Sequence, residues 1–152
     1  RREQVQSAFF ARLREMLAGN ENVRMVGDRF LLPWELLFAS ASAELGEEGR
    51  RGLDKLADLL LDVSARIPDD VDWILRIDGH TDVIPINTPR FPSNWELSTA
   101  RAVAVVRYLA DQGVPERRMA AAGFGEFFPV AEGTSPEALQ RNRRIELKLT
   151  DR

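Results

Sequence analysis

The sequence predicts one α/β domain built as a two-layer sandwich. Its 152 residues are enough to bury a substantial core, and 44% hydrophobic with 30% charged residues is an ordinary composition for a globular chain. Segments with the period of a helix alternate with segments with the period of a strand. Strand-helix-strand units normally cross over right-handed onto one sheet, which gives one layer of strands and one of helices.

The N-terminal third predicts a helix followed by a hairpin. Apolar residues recur at helical spacing from residue 4 to residue 17. The short apolar runs 23–26 and 29–32 flank a Gly-Asp pair, whose tolerance of positive φ favours a tight turn. Because Pro33 lacks a backbone donor, we expect the second strand to end there and the apolar residues Trp34, Leu36, Leu37 and Phe38 to lie in irregular chain.

The rest of the chain predicts two further helices and up to three further strands. Residues 53–67 have one apolar face of helical period, and residues 93–112 begin with a capping box and are followed by a glycine. Residues 73–78 and 145–149 alternate apolar and polar side chains, which is the period of a half-covered strand. Residues 121–125 are expected to form a short strand or a bend.

Composition and motifs exclude several classes of function. A net charge of −3 argues against a general nucleic-acid binder, and the lack of cysteine excludes disulfides and thiolate chemistry. The sequence contains no glycine-rich phosphate loop, no G-x-S-x-G elbow and no H-E-x-x-H motif. The chain begins at Arg1 and has no apolar run long enough to span a bilayer, so we expect a fragment of a longer protein whose targeting or membrane segment precedes Arg1.

Two charged residues stand out from their surroundings. Arg101 rises from the middle of a largely apolar helix face, and Asp82 follows the carboxyl end of a predicted strand, where ligands gather in α/β sheets. If both reach the same edge, they suit a zwitterion with its ammonium on Asp82 and its carboxylate on Arg101. The alternatives are that Arg101 snorkels or pairs with a nearby carboxylate, and that Asp82 caps its own loop.

A second hypothesis concerns the single histidine. His80 lies between Asp78 and Asp82, and these three residues suggest a metal-dependent hydrolase as the alternative function. One histidine is below the ligand count of a typical zinc site. We therefore favour a structural histidine that holds its loop by hydrogen bonds.

Four blocks of sequence carry a family resemblance. They are Ile77-Asp78-Gly79-His80-Thr81-Asp82, then Ser93-Asn94-Trp95-Glu96-Leu97-Ser98-Thr99-Ala100-Arg101-Ala102, then Gly123-Phe124-Gly125-Glu126 with Pro129, and Arg141-Asn142-Arg143-Arg144-Ile145-Glu146. In this order they resemble the C-terminal peptidoglycan-binding domain of the OmpA family, over roughly residues 23–150. The long loop 83–92 and the sequence of residues 92–97 resemble those of the MotB branch of that family.

The resemblance implies a fold, a location and partners. It implies a mixed sheet with helices packed on one face over domain 23–152, with residues 1–22 as an N-terminal helix or linker arm. It also implies a periplasmic, non-catalytic domain without a cofactor, which binds peptidoglycan through the diaminopimelate of a stem peptide. The parent would be a membrane-anchored homodimer, either a flagellar stator subunit with a MotA-like partner or a related MotB-like protein of a non-flagellar system.

The resemblance also assigns roles to residues. Asp82 is expected to bind the ammonium of diaminopimelate, and Arg101 its carboxylate. Further contacts are expected from residues that flank these two: Asn94, Leu97, Asn142 and Arg143. One departure from the family pattern is Ala138-Leu139-Gln140, which stands where many members have Gly-Arg.

Overall fold

The structure is a computed structural model that describes residues 24–39, 42–68 and 70–151, together with four residues nearer the N-terminus. These four, Ser7, Ala11, Arg12 and Glu15, are helical; the rest of the helix predicted for residues 4–17, and the predicted domain boundary after residue 22, lie outside the described residues. Among the described residues, no helix has both the length and the apolar character that a membrane crossing requires.

The described residues after position 23 form five strands and four α-helices. In chain order they are β1 (Arg24–Val26), β2 (Arg29–Pro33), α1 (Trp34–Leu37), α2 (Glu47–Arg66), β3 (Trp73–His80), α3 (Asn94–Asp111), β4 (Met119–Gly123), α4 (Pro136–Asn142) and β5 (Arg144–Asp151). A single 3-10 turn, Glu116–Arg118, leads into β4.

The five strands form one mixed sheet in the order β1-β2-β5-β3-β4. Strand β5 is antiparallel to both of its neighbours, whereas β3 and β4 run parallel and are connected through α3. The pairing of β3 with β5 extends from Trp73 opposite Asp151 to His80 opposite Arg144. The predicted α/β sandwich with a mixed sheet is confirmed.

One face of the sheet packs on α2 and α3 and forms the core. The buried residues on the facing surfaces are Trp73, Leu75 and Ile77 of β3, Ile145, Leu147 and Leu149 of β5, Leu53, Leu56 and Leu60 of α2, and Ala102, Val105 and Leu109 of α3. The alternation read from the sequence of both central strands is therefore the alternation of the folded sheet. Burial of this set is the main favourable contribution to folding.

Two helices were not predicted. Helix α1 is a single turn whose first N–H, at Trp34, donates to the backbone oxygen of Arg143 at 3.0 Å, so tertiary contacts hold a segment that we expected to be irregular. Helix α4 has its signals in the sequence, since Ser135 accepts from Ala138 N at its N-cap and Pro136 occupies its first turn. The predicted hairpin and the helices predicted over 53–67 and 93–112 are present, although α2 begins six residues earlier, at Glu47.

The second face of the sheet carries a network of ion pairs. Arg76 donates from Nε to Asp78 Oδ1 at 2.9 Å and from Nη2 to Oδ2 at 2.9 Å. Glu146 accepts from Arg144 Nε at 2.8 Å and from Arg29 Nη1 at 2.9 Å. Each buried carboxylate on this face is thus matched by at least one guanidinium, which offsets the cost of taking both charges out of water.

His80 lies inside this network as a neutral ring. It is 2% exposed and stacks on Phe124 with 5.0 Å between the ring centroids. Its Nε2 lies 3.7 Å from Glu146, and neither ring nitrogen has a hydrogen-bond partner in the described part of the chain. Burial, reinforced by the charge of Arg144, lowers the pKa of His80 to about 4. The expectation of a loop histidine held by hydrogen bonds was wrong, because β3 continues through His80 and the ring is held by stacking.

Glycines at the ends of β3 and β4 let α3 approach the sheet closely. A Cβ at Gly79 would collide with the backbone oxygen and carbon of Ser98, and a Cβ at Gly123 would collide with Thr99. The first two turns of α3 therefore lie directly on the carboxyl ends of these strands. This contact fixes the position of Arg101 relative to the loop that follows β3.

Gly79→Ala is expected to lower the free energy of unfolding by roughly 2–3 kcal/mol, because the added methyl group meets backbone that cannot rotate away. Gly52→Ala is the matched control, since no atom lies within 4 Å of its Cβ position on the exposed side of α2. There the change should stabilise the protein by about 0.5–1 kcal/mol through helix propensity. Urea denaturation measures both, and equal effects would show that α3 has room to withdraw.

His80→Phe is expected to flatten the acid side of the stability profile. Unfolded histidine binds a proton near pH 6.5, whereas folded His80 does so only near pH 4, so stability rises with pH between these values. The wild type should lose about 3 kcal/mol through this residue as the pH falls from 7 to 4. Phenylalanine keeps the stacking and cannot titrate. Urea denaturation at several pH values tests this, and parallel profiles would contradict it.

Candidate ligand-binding site

Asp82 lies in the turn that follows β3. Its Oδ1 accepts from Ile84 N at 3.0 Å, so it does cap its own loop. Its Oδ2 accepts from Arg143 Nη1 at 2.9 Å. The preceding Thr81 anchors the turn, because its backbone N–H donates to the oxygen of Gly125 at 2.9 Å. One carboxylate oxygen thus holds the loop and the other faces a cation.

Arg143 bridges two carboxylates on different elements. Besides Asp82, it binds Glu35 of α1, with Nε and Nη2 each 3.1 Å from Oε1. Arg143 follows α4 directly and precedes β5, so its position is set by the start of a central strand. This chain of ion pairs links α1, the turn after β3 and the start of β5 at one end of the inner strands.

Arg101 is buried without a carboxylate partner. Its residue is 4% exposed, and its Cζ lies 3.8 Å from the ring centroid of Trp34 and 4.8 Å from that of Phe38. Across the described residues, no hydrogen bond reaches its guanidinium, and its buried Nε has no acceptor. Burial lowers the pKa of Arg101 to about 10; Glu35 opposes this shift and Arg143 adds to it. Arg101 is therefore a cation at neutral pH.

Asp82 and Arg101 belong to one group of four charges, which we call the charge cluster: Glu35, Asp82, Arg101 and Arg143. Arg143 connects the group, since it pairs with Asp82 and its charge acts on Arg101. With two carboxylates and two guanidinium groups, the cluster is formally neutral. Such an arrangement can bind a small molecule that carries both an ammonium and a carboxylate.

Of three other residues expected at the site, two hold loops and one lies in the core. Asn94 is buried and donates from Nδ2 to the backbone oxygen of Ile84 at 3.1 Å. Asn142 accepts at Oδ1 from the backbone N–H groups of residues 130 and 131 and donates to the oxygen of 131, all within 3.0 Å. Leu97 is part of the core.

Three residues of the site were missed by sequence reasoning. Trp34, Glu35 and Phe38 come from the segment that we expected to be irregular, and the structure brings them to Arg101 and Arg143. The apolar pattern of this segment indicated burial, but no local signal links it to residues more than 60 positions away. Only the folded sheet brings these segments together.

A cavity of about 260 Å³ lies beside the Asp82 loop. Its lining residues include Thr81, Val83, Glu126 and Glu132. The exposed rings of Trp95 and Phe127 pack against each other in a tilted arrangement, with 5.0 Å between their centroids.

The hydrolase hypothesis required Asp78, His80 and Asp82 to converge, and the structure does not bring them together. The group whose ligand atoms lie within 4.8 Å of one another is Asp78, His80 and Glu146. Both of these carboxylates are already bound by guanidinium groups of the ion-pair network. A metal ion would have to displace those cations, so the arrangement does not favour metal chemistry.

Comparisons with known proteins identify the family. The model of the OmpA family matches residues 37–143, more than half of the chain. Motility protein B of Bacillus subtilis (strain 168) is 39% identical over 77 residues, which cover 50% of this chain and 30% of that protein. The chain spans less than half the length of the first curated relatives, at 43%, 30% and 45%.

Solved structures give the same assignment. The crystal structure of a protein from Desulfovibrio vulgaris described as MotB-like is 31% identical and superimposes with a TM-score of 0.81, covering 98% of this chain and 96% of that one. The cell wall anchor of the T6SS from Pseudomonas aeruginosa is 35% identical, with a TM-score of 0.73 and coverage of 91% and 96%. The chain therefore belongs to the OmpA family and is a MotB-type member of it.

Proposed function

We propose that this domain binds peptidoglycan without making or breaking a bond, and that it anchors a membrane-attached protein to the cell wall. The bound group is the diaminopimelate of a stem peptide. The observation that supports the proposal is the buried guanidinium of Arg101, which has no hydrogen bond or ion pair within the described part of the chain and is linked to Asp82 through Arg143. A buried cation without a direct ion pair is unfavourable in the free protein, so a ligand carboxylate that reaches it is attracted.

The chemistry of diaminopimelate fits the charge cluster. Its side chain ends in a carbon that bears both an ammonium and a carboxylate, and the neutral cluster offers one partner for each. In the proposed complex, Asp82 accepts from the ammonium, and Arg101, with Arg143 beside it, donates to the carboxylate. Asn94 and Asn142 act by holding their loops in place, and Leu97 acts by packing in the core below α3.

The named relatives support an anchoring role in the cell envelope. One solved neighbour is a cell wall anchor of the T6SS, and a curated relative is a motility protein B. By analogy we place this domain in the periplasm, as part of a homodimeric protein with a MotA-like membrane subunit or its counterpart in a non-flagellar system. The resemblance is to proteins that bind the cell wall and carries no catalytic assignment.

Asp82→Asn and Arg101→Gln are each expected to weaken binding of the tripeptide L-Ala-γ-D-Glu-meso-diaminopimelate about 10- to 100-fold. Each change removes one charge-assisted interaction worth roughly 1.5–3 kcal/mol. Isothermal titration calorimetry measures the affinity, and sedimentation with purified sacculi tests the intact polymer. Both variants should remain folded by circular dichroism.

Asp58→Asn and Arg107→Gln are the matched controls, because they make the same charge changes at exposed positions of α2 and α3. They should bind like the wild type. The site assignment is wrong if the Asp82 and Arg101 variants also bind and sediment like the wild type. Equal binding of a tripeptide with lysine at the third position would instead show that the carboxylate is not recognised.

A further inference from the structure

Arg101 is held by aromatic faces where buried arginines are usually held by carboxylates. The 3.8 Å between its Cζ and the ring centroid of Trp34 is typical of a guanidinium stacked on a ring, and Phe38 adds a second ring at 4.8 Å. All three side chains belong to residues that are 7% exposed or less. The attraction acts through the face of the guanidinium and does not use its N–H donors, which lie in its plane.

We propose that Trp34 and Phe38 are positioning residues, which we call the aromatic bracket. They hold Arg101 by its face, leave its N–H donors to a ligand carboxylate, and so make the site select ligands whose side chain ends in a free carboxylate. This inference rests on the proposed function and adds to it the origin of the selectivity.

Unused donors at the bracket support this role. Arg101 Nε and Trp34 Nε1 are both buried, and neither has an acceptor within the described part of the chain. Burying a donor without an acceptor is unfavourable, and natural proteins rarely leave two such donors in one contact. The negative charge of a carboxylate bound close to Arg101 would offset part of this cost. The bracket thus keeps Arg101 without an ion pair until a ligand supplies one.

The neighbouring acid is kept away from Arg101 by the same helical turn. Glu35 is the carboxylate whose charge favours protonated Arg101, but its oxygen binds Arg143 at 3.1 Å. Trp34 N also donates to the backbone oxygen of Arg143 at 3.0 Å. Helix α1 therefore presents an aromatic face to one arginine and a carboxylate to the other, which leaves Arg101 as the cation without an ion pair in the charge cluster.

Selectivity for a free terminal carboxylate follows because Glu35 pairs with Arg143 and leaves Arg101 to the aromatic bracket. A ligand whose terminal acid is amidated, or a lysine in place of diaminopimelate, brings no negative charge to Arg101. Such a ligand leaves the guanidinium buried and uncompensated, whereas the free acid satisfies it. If the bracket is removed, Arg101 is free to turn toward Glu35 or solvent, and the preference for the free acid should fall.

Trp34→Leu, Trp34→Phe and Phe38→Leu test the bracket in the 152-residue chain. The probes are the meso-diaminopimelate tripeptide and the same peptide with its terminal side-chain carboxylate amidated, both titrated by calorimetry. We expect Trp34→Leu to weaken the free-acid peptide about tenfold and to change the amidated peptide less than twofold. Trp34→Phe keeps an aromatic face and should restore most of the discrimination, whereas Phe38→Leu should reduce it by a smaller factor.

Leu56→Ala controls for a general loss of stability, because it removes buried volume from α2, which contributes no residue to the charge cluster or the aromatic bracket. It should leave the ratio of the two affinities unchanged. A wild type that binds neither peptide overturns the proposed function itself. A wild type that prefers the free acid, together with a folded Trp34→Leu variant of equal preference, overturns the bracket alone. Should Trp34→Leu fail to fold, Phe38→Leu and Trp34→Phe decide the same question.

Discussion

The candidate site depends on a buried guanidinium that forms no ion pair with the part of the chain that the structure describes. Arg101 lies on α3. This helix can approach the carboxyl ends of β3 and β4 only because Gly79 and Gly123 present no side chains to it. The cost of dehydrating this cation is then offset by two aromatic rings, which attract its face and leave its edge unengaged. Backbone contact, aromatic packing and electrostatics thus converge on one side chain.

Buried charges are paired on one face of the sheet and incompletely paired at the end of its central strands. On the face away from the helices, Asp78 and Glu146 are each bound by guanidinium groups, and His80 remains neutral among them. The carboxylates of that network are paired internally, so they offer little to an incoming cation. At the end of the central strands the charge cluster is neutral in sum, but Arg101 has no ion pair with any residue that the structure describes. The same residue types therefore stabilise the sheet on one face and form the proposed binding site at the end of β3.

The sequence alone indicated much of the fold and two residues of the charge cluster, Asp82 and Arg101. Period-two alternation identified both central strands, and the Ser93 cap identified α3, because these signals are local. Asp82 and Arg101 were found because a charge on an apolar helix face and an acid after a strand are also local anomalies. Trp34 and Glu35 were not predicted as site residues, because they reach the charge cluster only through contacts with residues 67 or more positions away in the sequence.

Some residues looked alike in sequence and differ in the structure. Asn142 and Arg143 are adjacent, and both were expected to contact the ligand. The side-chain amide of Asn142 forms hydrogen bonds with the backbone of residues 130–131, whereas Arg143 joins Asp82 to Glu35. Whether a polar side chain is already satisfied depends on loops that fold back from elsewhere. Composition and spacing do not encode that information.

The salt bridge between Arg143 and Asp82 bears on how a bound ligand is released. A ligand ammonium that takes the Asp82 oxygen replaces an existing ion pair, so the number of pairs at that carboxylate does not increase. In the proposed complex, association at this carboxylate is therefore an exchange of cations, which makes its dependence on ionic strength shallow. An attachment of this kind is reversible, with Arg143 available to reclaim the carboxylate whenever the ligand leaves.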